Sequence, residues 1–99
     1  MIRLKIIKSP GESCRNILKT RIREYDSQMY GAVGLVQGMI YEILYAADVA
    51  EKAANVVVYD IKGNCPQTLT TIAVLGNIED VETALRAIKE KADLGEIDD

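Results

Sequence analysis

Two kinds of hydrophobic periodicity alternate along this chain, and their order limits the folds that it can adopt. Segments in which apolar residues recur at every second position indicate strands, whereas segments with apolar residues three or four positions apart indicate helices. In chain order, these segments predict the elements β-α-β-α-β-β-α. Such an order predicts an α+β sandwich, in which a four-stranded, largely antiparallel sheet carries its helices on one face.

The first strand and helix occupy about residues 1–23. The strand alternates between apolar and basic side chains, and the Ser-Pro-Gly-Glu sequence at residues 9–12 then resembles a capping box, with Ser9 as N-cap and Glu12 reaching back. We therefore expect a helix that runs to about Arg23. Its predicted apolar stripe contains Cys14, Ile17, Leu18 and Ile22.

A second strand and helix are expected from Ala32 onward. The apolar run Ala32–Val36 indicates a buried strand, Gly38 ends it, and a helix is expected to cover about Met39–Asn55. Two faces of this helix differ in polarity. The predicted core face contains Met39, Ile40, Ile43, Leu44, Ala47 and Ala54, and the other contains Tyr41, Tyr45, Asp48 and Lys52.

The last part of the pattern predicts a β-hairpin and a helix. Strands at about Val56–Ile61 and Leu69–Leu75 are joined by a loop that contains Gly, Asn and Pro. Asn77 is the expected N-cap of the final helix, Gly95 is expected to end it, and an acidic tail follows. The predicted core-facing residues of this helix are Ile78, Val81, Leu85, Ile88 and Ala92.

Composition excludes several classes of function. The chain has no histidine, which removes histidine-dependent triads, dyads and imidazole metal sites, and its net charge of −3 disfavours a general nucleic-acid binder. No stretch approaches the roughly 18 apolar residues of a membrane helix, and no targeting segment is recognisable. The carboxylates are scattered, and Glu82, Arg86 and Glu90 are expected to form surface pairs. We therefore expect a cytosolic protein that is not an enzyme.

The two cysteines differ in their surroundings. Cys14 lies on an apolar helix stripe, where a free cysteine behaves as a small hydrophobic residue. Cys65 lies in the hairpin loop, where a thiolate could bind a soft metal or a cluster. One thiolate cannot hold an iron–sulfur cluster, which takes about four. The residues alone therefore favour a tolerated loop cysteine, unless copies of the loop meet on a symmetry axis.

Four segments of the chain resemble the shell-protein domain of bacterial microcompartments (the BMC domain). They are Ala32–Val36, Ala46–Asp48, Lys52–Val56 and Val74–Ile78. The resemblance implies a single ferredoxin-like BMC domain whose strand–helix–hairpin–helix core covers residues 32–92. The strand and Pro-started helix that this family normally has at its C-terminus here precede the core, at residues 1–23, and residues 93–99 form the tail. The resemblance thus implies a circularly permuted shell protein.

The hairpin loop carries a finer resemblance. Its sequence Gly-Asn-Cys-Pro-Gln is similar to the Gly-X-Cys-Pro-Gln motif of a divergent group of shell proteins from glycyl-radical propanediol-utilisation microcompartments. Members of that group are hexamers associated with an iron–sulfur cluster at the central pore. The resemblance implies that Cys65 from several subunits ligates a [4Fe–4S] cluster for electron or cluster transfer across the shell. The other implied pore-loop residues are Lys62, Gly63, Asn64, Pro66 and Gln67.

The resemblance also implies the partners of the chain. Lys52 matches the lysine with which shell hexamers meet edge to edge, so we expect a homohexamer that contacts other shell proteins in a microcompartment of the bacterial cytoplasm. No nucleic acid or membrane is expected as a partner. Two alternatives stay open. One is a pore for small polar metabolites without a cluster, and the other is a small ferredoxin-like module that senses a ligand as a dimer or trimer.

Overall fold

The computed structural model describes residues 2–61 and 69–92 and contains the predicted order of elements. Strand β2 is longer than expected because it continues through Gly38, and the first two helices are shorter than expected. Met1, the hairpin loop 62–68 and residues 93–99, including the predicted stop at Gly95, lie outside the described residues. The elements are β1 (Arg3–Lys8), α1 (Glu12–Arg21), β2 (Ala32–Met39), α2 (Ile40–Ala53), β3 (Val57–Asp60), β4 (Leu69–Gly76) and α3 (Ile78–Ala92).

The four strands form one antiparallel sheet in the order β1-β2-β4-β3. Strands β2 and β4 occupy the centre and are buried along most of their length, which fits their apolar sequences. The exposed residues of these strands, at the end next to the hairpin loop, are Gln37, Met39 and Leu69. In the β3–β4 hairpin, Asp60 lies opposite Ile72, and the N–H of Ile61 donates to the carbonyl of Thr71 at 3.0 Å. The predicted antiparallel sheet and hairpin are therefore confirmed.

The helices lie on both faces of the sheet, so the prediction that they share one face is wrong. Helices α2 and α3 pack with Ala32, Val36 and Val74 in one core cluster. A second cluster contains Leu18 of α1 and Ile22, which follows this helix. They pack against the strand residues that alternate with those of the first cluster and therefore face the other side of the sheet. Because β2 and β4 are apolar at consecutive positions, both of their faces need a cover. The strand residues of the second cluster are Val33, Ala73 and Leu75.

The start of α1 differs from the predicted capping box. Ser9 does not cap the helix, because its N–H donates to the carbonyl of Gly31 at 2.8 Å and thereby extends the pairing of β1 with β2. Its φ of 49° turns the chain away from the sheet. The helix begins only at Glu12, with Gly11 as N-cap and no side-chain capping bond. Ile17, expected in the core, is 61% exposed.

Gly38 lies within β2, although it was predicted to end the strand. A Cβ at this position would come within 2.9 Å of Glu42 Oε1, so glycine leaves room for that carboxylate. Glu42 Oε1 in turn accepts a hydrogen bond from the N–H of Met39 at 2.9 Å, which closes the first turn of α2. The core face of α2 is rotated from the predicted one, because Ile43, Ala46 and Ala50 are its buried residues.

Helix α3 follows the prediction closely. Asn77 Oδ1 accepts a hydrogen bond from the N–H of Asp80 at 2.8 Å, which confirms the N-cap. Val81, Leu85 and Ile88 are buried as expected, and Ile78 packs against the same core. Ala92 is exposed, because the helix extends past the core at its C-terminal end. Ala84, which the prediction omitted, is fully buried.

Candidate functional site

Lys52 lies on the solvent-exposed side of α2, near its C-terminal end. Its Nζ is 2.8 Å from Asp48 Oδ2, one helical turn earlier, and its side chain is 76% exposed. The hydrogen bond with Asp48, together with the charge of that carboxylate, raises the pKa of Lys52 above its ordinary value. Lys52 is therefore a charged, exposed group that a neighbouring molecule can contact.

A shallow groove of about 260 Å³ runs between α2 and α3 next to Lys52. Tyr45 and Val49 contribute its α2 wall, and Ala87 and Lys91 contribute its α3 wall. The sequence pattern predicts that Tyr45 and Lys52 share one face of α2, but it does not predict that α3 borders this face. The apolar stripe of α3 predicts which side of this helix is buried. It does not predict which elements lie beside the exposed side.

Helix α2 also exposes three large apolar side chains near its start. Ile40 is 51% exposed, Leu44 is 66% exposed and Tyr41 is 70% exposed. Ile40 and Leu44 were predicted to be in the core, and the prediction was wrong because Ile43, Ala46 and Ala50 already fill the space above the sheet. Apolar side chains clustered on a surface are typical of contact sites between proteins.

The hairpin that contains Cys65 is described only at its base. The last described contact before the loop is the hydrogen bond from Ile61 to Thr71, and residues 62–68 lie outside the described residues. The pairing of Thr71 with Gln37 and of Gln37 with Arg3 places this base at the sheet end where β1 begins. The assignments of Cys65 and of Lys62, Gly63, Asn64, Pro66 and Gln67 therefore stay predictions.

The surroundings of Cys14 fit the interpretation as a small hydrophobic residue. Cys14 is a free, partly buried thiol that packs against the α1 cluster. The neighbouring Tyr25 is 2% exposed, and burial raises the pKa of its hydroxyl, with a further contribution from Cys14. Within the ranges 2–61 and 69–92, no three His, Cys, Asp or Glu side chains are grouped to hold a metal ion.

The model of the BMC domain family matches residues 32–98, which is more than half of the chain. The chain belongs to the BMC domain family. The match begins at β2 and includes the exposed helix α2, the hairpin and α3.

Solved structures similar to this BMC domain cover nearly its whole length. The ligand-free GrpU microcompartment shell protein from Clostridiales bacterium 1_7_47FAA is 35% identical, with a TM-score of 0.70, and the match covers 94% of each chain. The ligand-free GrpU shell protein from Pectobacterium wasabiae is 30% identical, with a TM-score of 0.65, and the match covers 88% of this chain and 99% of that one. A search of curated protein sequences finds no match.

Strand β1 precedes the matched region but is part of the same BMC sheet. It pairs with β2 along its whole length, and Lys8 Nζ lies 2.8 Å from Glu82 Oε2 on α3. Glu82 was expected to pair with Arg86. Glu82 pairs with Lys8 instead, because the end of β1 lies beneath α3. The hydrogen bond from Lys8 lowers the pKa of Glu82. Circular permutation, and the division into residues 1–23, 32–92 and 93–99, stay predictions.

No helix among the described residues is long and apolar enough to cross a membrane.

Proposed function

We propose that this protein is a structural subunit of a bacterial microcompartment shell. The observation that carries the proposal is the match to a GrpU shell protein over 94% of both chains, because it includes β1 and α1 as well as the BMC core. Its function would then be to build the shell and to define a passage through it. We propose a structural function and no enzymatic activity.

The proposed assembly is a homohexamer in contact with other shell proteins. A closed ring repeats one head-to-tail interface six times, so each copy contributes two complementary surfaces to it. The exposed residues Ile40, Tyr41 and Leu44 supply such a surface on α2. Lys52, held by Asp48 on the outer side of the same helix, is proposed to contact the neighbouring hexamer.

The proposed pore is lined by the loop of the β3–β4 hairpin and binds an iron–sulfur cluster through Cys65. Thiolates are the ligands that such clusters require, and each loop carries one cysteine. The described residues contain no metal-binding group, so the remaining thiolates would come from other copies of the loop. Six loops would offer six thiols for about four positions. Lys62 would offset the negative charge of the thiolates.

A bound [4Fe–4S] cluster would supply one-electron transfer between the two sides of the shell. The protein would position the cysteines, exclude solvent around them and set the potential by charge and hydrogen bonding. Delivery of the cluster as cargo uses the same ligands.

The test compares the wild-type protein with the variants Cys65→Ser and Cys14→Ser, all purified without oxygen and run on a sizing column. We expect brown wild-type hexamers, loss of the charge-transfer absorption in Cys65→Ser, and no loss in Cys14→Ser. All three proteins should elute at the same size, since serine is close to cysteine in volume and both substitutions lie outside the α2 surface proposed as the subunit interface.

Three results would contradict parts of this proposal. Colourless hexamers without iron after reconstitution would indicate a metabolite pore. Loss of colour in Cys14→Ser but not in Cys65→Ser would place the cluster elsewhere. Dimers or trimers that respond to a metabolite would indicate a ligand-sensing module and would remove the shell proposal.

A further inference from the structure

Helix α1 covers only part of its side of the sheet. Its cluster contains Val33 and Leu75, which lie toward the far end of the sheet from the hairpin loop, and Ala73, which lies in the same row of paired residues as Lys5. Toward the hairpin loop, alternation along the strands and the pairing register place other side chains on the same side. We call this group the open sheet end, and it consists of Arg3, Lys5, Gln37, Leu69 and Thr71.

The open sheet end is cationic and partly apolar. The four strands place two cations and no carboxylate on this side of the sheet, and Arg3 and Lys5 are exposed and form no ion pair with any described residue. Gln37 Nε2 donates to Thr71 Oγ1 at 3.1 Å, so these two polar groups satisfy each other. Leu69 is 38% exposed beside them.

The two cations act together. Residues two positions apart on one strand are separated by about 7 Å. This distance is within the Debye length of about 8 Å at physiological ionic strength. An acidic group that approaches Arg3 therefore also interacts with Lys5. The strand is at the edge of the sheet, so both side chains are accessible from the side as well as from above.

The rest of the molecule extends this charge pattern. Residues 3–31, which form β1, α1 and the connection to β2, contain seven Lys and Arg side chains and three carboxylates, and one of the seven, Lys8, lies on the other face of the sheet. Helices α2 and α3, on the other face of the sheet, contain seven carboxylates and four Lys and Arg side chains. The α1 side therefore attracts acidic groups and the opposite side repels them, which orients an acidic partner as it approaches.

We propose that the open sheet end binds an acidic segment of another protein, in which carboxylates alternate with apolar residues. The carboxylates would pair with Arg3 and Lys5, and the apolar residues would cover Leu69. A protein segment fits better than a nucleic acid, because a phosphate backbone has no apolar group for Leu69 and the chain carries a net charge of −3. This proposal goes beyond the shell function and does not depend on Cys65.

The test measures binding of a fluorescently labelled peptide of alternating glutamate and leucine by anisotropy, with the full chain as receptor. The variant Arg3→Gln/Lys5→Gln is compared with Lys89→Gln/Lys91→Gln, which removes the same charge from exposed positions of α3. We expect binding to the wild type, a loss of about tenfold in the β1 variant and a change of less than about twofold in the α3 variant. Affinity should also fall as salt is added.

Several results would overturn the proposal. Absence of binding would remove the proposal, and an equal loss in both double variants would show only a general attraction between opposite charges. Tighter binding of a DNA duplex than of the peptide would assign the surface to nucleic acid. A tenfold gain after removal of residues 93–99, which carry four carboxylates, would assign it to the chain's own segment. The Cys65→Ser variant should bind as the wild type does, so loss of the cluster proposal would leave this one intact.

Discussion

At the scale of single residues, small and charged side chains determine how β1, β2 and α3 meet. A Cβ on Gly34 would lie 3.0 Å from Leu85 Cδ2 and 3.1 Å from Val81 Cγ1, so glycine permits close packing of α3 on the central strand. At the edge of the same contact, Lys8 and Glu82 form an ion pair. The apolar contact holds the helix against the sheet, while the exposed ion pair makes its edge sensitive to pH.

The pKa of Glu82 tests this edge contact. Its hydrogen bond with Lys8 keeps the folded-state pKa below the ordinary value of 4.5. The pair therefore stabilises the fold fully above that value, and its contribution is lost as the pH falls through the folded-state pKa. In a carboxyl NMR titration, Lys8→Gln should raise the pKa of Glu82.

The matched control is Lys5→Gln, because Lys5 lies on the same strand but faces the opposite side of the sheet. It should leave the pKa of Glu82 where it is. An unchanged pKa in Lys8→Gln, or an equal rise in both variants, would show that the pair does not form in solution.

At the scale of elements, the ends of the helices are defined in different ways. Asn77 accepts a hydrogen bond from the N–H of Asp80 and begins α3 with a side-chain cap. Helix α1 has Gly11 at the same position and no side-chain cap. Its predicted cap, Ser9, is instead used to extend the pairing of β1 with β2. A local sequence pattern therefore identified the start of α3 and misplaced that of α1.

Asn77→Ala should lower the free energy of unfolding by about 1 kcal/mol, because the N–H of Asp80 loses its acceptor. For a domain of this size the expected fall in melting temperature is about 4–8 °C. Melting is followed by circular dichroism at one protein concentration, since assembly also stabilises the fold.

Asn77→Asp is the control for the cap and should melt near the wild type, because it keeps the acceptor oxygen and adds a negative charge at the positive end of the helix. Equal losses in the alanine and aspartate variants would argue against the capping bond as the cause.

At the scale of the whole molecule, the sheet separates two unlike sides. One side carries α2 and α3, with exposed apolar residues near the start of α2 and Lys52 near its end. The other carries α1 and the cationic open sheet end. In a shell subunit, this arrangement would separate the surface that builds the shell from the surface that recruits other proteins.

The proposed edge function of Lys52 leads to a prediction about assembly. Lys52→Ala should leave the size of the proposed hexamer unchanged and reduce the formation of extended sheets, measured by electron microscopy, because it would remove a charged contact between neighbouring hexamers. Lys89→Ala, an exposed lysine on α3, is the control and should form sheets as the wild type does. Normal sheets from Lys52→Ala would remove the edge function and leave the ring intact.

The order of elements, the hairpin and the cap of α3 were predictable because each depends on residues close together in the chain. The alternation of β1 was equally readable, and it correctly separated Ile2, Leu4 and Ile6 from Arg3 and Lys5. The same local patterns misassigned Ile40 and Leu44, because an apolar stripe does not reveal how much of it the sheet can cover. The side of the sheet that α1 occupies was also beyond local reasoning. Central strands that are apolar on both faces accept a helix on either one, and the choice depends on packing between residues distant in sequence.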